Sequence, residues 1–427
     1  MLMYILLALP IIYIIKNALS SDVEPIFGVH AQPGKWFGIK YCVFWLIFQL
    51  RKYQNKKAAA SSVQGAGYGR RSRATPQEMD KVQELPKEHP MAVDAVYFNG
   101  GSREGQYLVM ATARRHHNLV QTLLFFRVPG VGLFELPSKP DTSHYTEDGG
   151  YSIKDGLKIE PTEAMKRWKL SYDGKLRLTK LDKTTSEHEV KFCLDWSAYT
   201  PLFDFDVDMS VPAMCTSIAR EKWTRQFFTK LKTAHQTHYE QFGEITGSVC
   251  VSGMDDIPVK VQGVRDHSYG NIRDWRDLHR YSISYLHCED GMAAAIGVIC
   301  MPLTMSRIVM GYVVQPGGIC EVASWTDFEL YKIGEDGTPP KSLTFSFIAG
   351  GKKYDVKYEV VEAPTFYMGY EWEARIIENF VKGTINGKAC WGISEWDYRN
   401  KTHPREKEYK DADSYGESIK DKFLPVH

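Results

Sequence analysis

Hydrophobic positions along this chain first run together, then alternate. Met1 to Ile15 is almost wholly apolar, interrupted by Pro10, and Trp36 to Leu50 is a second apolar stretch broken only by Gly38, Lys40 and Gln49. Each is about fifteen residues, roughly 22 Å as a helix, against a hydrocarbon core of roughly 30 Å. Neither makes a comfortable single span. The pair suits interfacial helices or two arms of a re-entrant hairpin, turning near Asp22 to Pro25 and Gln32 to Gly34. A cleaved signal would explain only the first stretch, which lacks the usual positive start. From Arg51 to Arg73 the chain carries seven basic residues, Arg51, Lys52, Lys56, Lys57, Arg70, Arg71 and Arg73, and no acid. That charge prefers a cytoplasmic membrane face, so the expectation is a membrane-attached N-terminus with the main domains in the cytosol.

Residues 54–90 are small, polar and Pro-containing, which predicts a linker. After Met91 the pattern becomes short runs of strand formers punctuated by Gly, Pro, Asn and Asp, as at Tyr107 to Ala113, Gln121 to Val128 and Glu189 to Trp196. Asp173-Gly174, between Trp168 to Tyr172 and Lys175 to Thr179, predicts a tight hairpin turn. Ile218 to His238 carries Trp223, Phe227, Phe228 and Leu231 at helical spacing and predicts one helix. Strand texture then resumes and continues to Trp396, with turns at Glu289 to Gly291, Pro316 to Gly318, Glu335 to Gly337 and Gly350-Gly351. The expected organisation is all-β: a membrane-associated segment at 1–53, a linker at 54–90, a first β domain at 91–217, a connecting helix at 218–242, a second β domain at 243–400 and a polar tail at 401–427.

Composition adjusts this picture in two places. A chain of 427 residues with a formal net charge of +1 has no basic excess, so nucleic acid is not an expected partner. The 13% aromatic content fits many strands or an aromatic-lined cavity. The eight cysteines are scattered without a C-x-x-C and read as small buried hydrophobes in a reducing compartment.

Candidate chemistry concentrates in Gly263 to Trp275, where Arg265-Asp266 and Arg273-Asp274 enclose His267, Ser268 and Tyr269. Asp266 or Asp274 could supply a proton if burial raises its pKa, His267 could orient water or the acid, and Tyr269 and Trp275 offer π faces to a cation. The competing reading makes Arg265, Asp266, Arg273 and Asp274 an ion-pair lattice that ties a loop, with His267 and Trp275 as its cover. His235, His238 and Glu240 lie close in sequence, but no H-E-x-x-H appears, so no metal is expected. No Gly-x-Ser-x-Gly elbow or phosphate loop is present.

The run Gly263 to Gly270 followed by Arg273-Asp274-Trp275 resembles the G-x-R-D-H-S-W-G-x-R-D-W signature of the AttH and carotenoid 1,2-hydratase group, with support from Tyr239 to Gln241, Gly247 to Val249 and Trp391 to Trp396. It departs at Tyr269, where the group has Trp, and at Asn271-Ile272, where the group has one residue. The resemblance covers about residues 92 to 400, and within the group it is nearest to animal proteins similar to a domain attached to phosphoenolpyruvate-synthase-like chains. It implies two lipocalin-like β-barrels in tandem. It also implies cofactor-independent hydration, isomerisation or cyclisation at a C=C bond of an isoprenoid- or lipid-like substrate, with Asp266, His267 and Asp274 catalytic and Arg265, Tyr269, Arg273 and Trp275 binding. The alternatives are a non-catalytic carrier or sensor of such molecules and an interaction scaffold.

Overall fold

The computed structural model describes residues 2–58, 74–154, 156–233 and 235–401. The tail expected at 401–427 lies almost wholly outside the described residues, as does the middle of the expected linker. Two eight-stranded, closed, antiparallel barrels follow one another. The first is built from β1 (Val93–Gly101), β2 (Tyr107–Arg114), β3 (Leu119–Val128), β4 (Gly132–Glu135), β5 (Arg167–Lys180), β6 (Thr185–Ala198), β7 (Thr237–Val251) and β8 (Ile257–Gly270). Each strand pairs with the next, and β8 closes on β1. The second uses β9 (Arg280–Cys288), β10 (Ala293–Met301), β11 (Met305–Val314), β12 (Cys320–Thr326), β13 (Ser342–Ala349), β14 (Lys352–Glu362), β15 (Ala374–Ile385) and β16 (Lys388–Arg399), again in meander order, with β16 closing on β9.

Closure explains where the expected boundaries shift. β7 and β8 follow the helical region in sequence, yet they pair with β6 and β1, because without them the first sheet would keep two open edges. The first barrel therefore runs past residue 243 to Gly270. The single helix expected at 218–238 is two, α4 (Val211–Arg220) and α5 (Arg225–Thr233), counting from the N-terminal helices α1 (Leu2–Leu19), α2 (Phe37–Ala58) and α3 (Pro76–Asp80). Thr224 accepts from the Phe227 amide and restarts the helix, while Trp223 packs on Phe44 at 5.4 Å.

The hairpin expected at Asp173-Gly174 is absent. β5 runs straight through it, since Trp168, Leu170, Tyr172, Leu176 and Leu178 keep one inward face without a break in their period of two. The turn falls after Lys180, where Asp182 accepts from the Thr184 amide and hydroxyl and Lys183 takes a positive φ. Both barrels are filled. Val96, Phe98, Leu108, Met110, Trp168 and Trp196 pack inside the first, and Leu286, Ile296, Val298, Phe347, Val356 and Trp396 inside the second. A third apolar cluster joins the outer face of β1 to that of β9 and takes in the inner sides of α2, α4 and α5.

Among the described residues no helix is long and apolar enough to cross a membrane. Part of the apolar character of the second stretch is spent on the protein itself. Phe44 and Phe48 of α2 are buried in the shared cluster with Met214 and Ile218 of α4, and Lys40 donates to the Glu221 carbonyl. The connection before α2 is tied down as well, by the Ala31 amide on Ser306 and by His30 on Glu335. Other apolar side chains of this region, among them Ile11, Ile12, Ile15, Leu19, Trp45, Leu46 and Leu50, are exposed.

Candidate functional site

The motif is a strand up to Gly270, so successive side chains leave on opposite faces. Arg265 and His267 follow Val259 and Val261 into the first barrel, whereas Val264, Asp266 and Ser268 face outward. Gly263 is required where β8 crosses β1. A Cβ there would stand 2.1 Å from the Asn99 carbonyl oxygen and 2.6 Å from Gly100 Cα.

Inside the barrel these groups pair with one another. Arg265 donates to Asp80 at 2.6 Å and to the Gln241 side-chain oxygen, with its guanidinium 5.4, 5.5 and 5.1 Å from the rings of Trp168, Trp196 and Tyr239. Asp80 comes from the part of the chain expected to be linker. It ends α3, a one-turn helix held by a Thr75/Glu78 capping box, and it also accepts from the Met165 amide and the Tyr239 hydroxyl. His267 has both ring nitrogens engaged, Nδ1 with the Tyr239 hydroxyl at 2.7 Å and Nε2 with Asp94 at 2.7 Å. Burial opposes ionisation of Asp94, but the His267 hydrogen bond and charge, the Gln83 amide and Arg114 outweigh it and lower its pKa. An ionised Asp94 fixes the proton on His267 Nε2. His267 is wholly buried in a filled barrel and does not reach the space between barrels.

The rest of the motif holds the connection to β9. Arg273 donates to Gln236 at 2.9 and 2.7 Å and to Ser268 at 2.7 Å. Asp274 accepts from the Arg276 amide and side chain, and Trp275 is buried in the shared cluster. Tyr269 lies 5.2 Å from the His267 ring. The expected lattice among Arg265, Asp266, Arg273 and Asp274 does not form: their partners are Asp80, His238, Gln236 and Arg276.

Asp266 instead joins a second group of polar side chains, on the outer face of the first barrel where it meets the second. Glu240 stands directly across from Asp266 in the β7–β8 register, and His238 is two residues before it on the same face. His238 Nε2 is 3.2 Å from Asp266 and 3.3 Å from Glu240, and its ring stacks on Phe205 at 4.2 Å. Burial alone would lower the His238 pKa, but the charges of Asp266 and Glu240 beside it push it up to about 10. From the second barrel, Tyr285 donates to Glu240 at 3.1 Å, Tyr281 donates to Glu395 at 2.5 Å, and Tyr97 of β1 donates to Glu378 at 3.1 Å.

Glu378 and Glu395 hydrogen-bond to each other, and Asp397 has neither carboxylate oxygen hydrogen-bonded. Burial, reinforced by the neighbouring Glu395 charge, raises Glu378 and Asp397 well above the carboxylate range. Glu395 is raised by burial against the opposing pull of Glu378 and Tyr281. Protein surrounds His238, Tyr97 and Glu395 deeply, yet each keeps accessible surface, 23% for the His238 side chain, so they face a recess rather than bulk water. Ile283, Phe242 and Ile393 pack behind them in the shared apolar cluster. A more open groove of about 490 Å³, lined by Arg127, Lys139, Lys180 and Glu362 among others, shares none of these residues.

The motif set Asp266 beside Arg265 and Arg273, whereas the fold pairs it with His238. His238 and Glu240 were seen only as a failed helical metal motif. Tyr97, Glu378 and Asp397 were missed, although an acid amid the apolar run Ile376 to Val381 is a visible oddity.

Fold and site together define a tandem up-and-down β-barrel protein with a cluster of buried carboxyl groups, tyrosines and one histidine between the barrels. Its sequence belongs to the family of unknown function DUF8627, which it matches over residues 5–398. None of the curated proteins matches it. Solved structures similar to it include a protein assigned as AttH from Nitrosomonas europaea, at 12% identity over 75% of this chain and 98% of that one, with a TM-score of 0.46. Kievitone hydratase from Nectria haematococca aligns at 13% identity over 74% and 91% of the two chains, with a TM-score of 0.40. CghA aligns at 9% over 74% and 90%, with a TM-score of 0.42. All three are double-barrel, lipocalin-like proteins.

Proposed function

We propose that the recess between the barrels binds an apolar, isoprenoid- or lipid-like molecule and protonates one of its C=C bonds, leading to hydration, isomerisation or cyclisation. The observation that carries this reading is the pair Glu378 and Glu395 beside Asp397. Three carboxyl groups with raised pKa values stand among tyrosines and aliphatic side chains. A carboxyl that stays protonated at neutral pH is a general acid, and burial is what keeps it so. In the proposed step its proton passes to an alkene carbon, and the resulting cation is faced by the Tyr97 and Tyr281 rings. Water or a second double bond then captures the cation, and the proton released there returns to the carboxylate. Asp266 borders this recess; His267 acts from inside the barrel wall, by holding β8 to β1 through Asp94.

The test is incubation of the full chain with isoprenoid polyenes and unsaturated fatty acids in D2O, with mass spectrometry of the recovered lipid. Deuterium at carbon is the expected result. Glu378→Gln should slow its incorporation by roughly 10²–10⁴-fold while the ligand still binds, as expected for loss of a general acid. Incorporation at the unmodified rate in that variant would overturn the assignment, and a ligand retained without any exchange would identify a carrier. We further propose that the exposed apolar side chains of α1 and α2, with Lys16, Arg51 and Lys52, seat the protein on a membrane surface from which such a molecule is drawn.

A further inference from the structure

We propose that His238, Glu240 and Asp266 form a binding site for one first-row divalent metal ion, of the Mn²⁺, Fe²⁺ or Zn²⁺ type. The ligand atoms of the three residues all lie within 4.8 Å of one another. Two ligands of a common ion at roughly 2.0–2.1 Å are separated by roughly 2.8–3.4 Å, from octahedral to tetrahedral geometry. His238 Nε2 stands 3.3 Å from a Glu240 oxygen and 3.2 Å from an Asp266 oxygen, which fits the edges of such a polyhedron.

Hydrogen bonding explains the arrangement less well. Despite those distances, Nε2 makes no well-aligned hydrogen bond to either carboxylate. Glu240 is 1% exposed and its second oxygen has no hydrogen-bond partner, nor has the second oxygen of Asp266. An unpartnered carboxylate oxygen at that depth is costly unless something positive meets it. One imidazole and two carboxylates suit first-row dications.

The surroundings supply what a metal ligand set needs behind it. Tyr285 donates to Glu240 at 3.1 Å, and Phe205 fixes the His238 ring plane by stacking on it. β-Sheet register does the rest, since 238 and 240 share a face of β7 and 266 lies opposite 240 on β8. A second trio, His30, His279 and Glu335, has the same compactness but not the same need. There Arg280 already donates to Glu335 at 2.8 Å, and both imidazoles hydrogen-bond to it. A cation would compete with that guanidinium.

The proposal stands on these side chains and does not depend on turnover. The full chain, stripped with chelator and then dialysed against Mn²⁺ or Zn²⁺, is assayed for bound metal by mass spectrometry, and its Co²⁺ form for visible ligand-field absorption. One equivalent per chain is expected. His238→Ala and Asp266→Asn should abolish it with the circular dichroism unchanged, and Tyr285→Phe should weaken it by roughly 10–100-fold, as for a residue that orients a ligand. His279→Ala should leave it intact. No retained metal in the unmodified chain overturns the proposal, as does equal metal in His238→Ala, or loss in His279→Ala alone. If His238→Ala fails to fold, Asp266→Asn and Tyr285→Phe carry the same decision.

Discussion

Adjacent residues of β8 have opposite environments, and this parity separates structure from chemistry. Arg265 enters the barrel, where Asp80, Gln241 and three aromatic rings surround it, while its neighbour Asp266 faces the recess. The acids of the recess have a measurable signature. Glu378 faces Glu395 and Asp397 of β16, Tyr97 of β1 and Tyr281 of β9, and its folded pKa is raised by burial and by the Glu395 charge. An acid raised on folding binds more protons native than unfolded, so its contribution to stability is fully present below the ordinary value of 4.5 and declines as pH rises above it. The unfolding midpoint is therefore expected to fall from about pH 5 towards pH 8, and Glu378→Gln should flatten that decline. Thermal unfolding across this range checks it; a parallel decline in the variant would show that Glu378 does not titrate there.

Elements in this protein are fixed by their neighbours as much as by their own composition. β5 is the clearest case: Asp173-Gly174 has turn chemistry, yet the strand continues, because five inward side chains on both sides of it fill one barrel core and a turn would expel those beyond it. The break between α4 and α5 was legible, in Ser210 and Thr224 as caps, but a long polar-apolar periodicity hid it. At the β1–β8 crossing the sheet is close-packed through Gly263. Gly263→Ala pushes a methyl into the Asn99 carbonyl and should cost roughly 1–3 kcal/mol, read from denaturant unfolding. A stability within error of the unmodified chain would mean that the crossing relaxes freely.

The two barrels, filled individually, meet along the faces that carry Asp266, Glu378 and Glu395. That is also where α2 and α4 dock, so the N-terminal helices border the same apolar cluster. Membrane seating is tested on the full chain by co-sedimentation with anionic phospholipid vesicles. Each aliphatic side chain transferred from water is worth roughly 1.5–3 kcal/mol, so replacing Ile12, Ile15 and Leu46 together by Ser should abolish sedimentation, and added salt should weaken it through Lys16, Arg51 and Lys52. Equal sedimentation of the triple variant, or none of the unmodified chain, would reject this face.

From sequence alone came the all-β class, the tandem of barrels through the motif resemblance, the apolar N-terminal stretches, and the motif containing Asp266. Periodicity and turn residues are local, so a sequence displays them directly. Which strands close each ring, and which acids meet across the gap between rings, depends on contacts such as Val93 with Gly270 and Tyr97 with Glu378, separated by 177 and 281 positions. Only the tertiary structure decides these, because the pKa of a carboxyl and the partner of a histidine are set by what burial brings beside them, not by what precedes them in the chain.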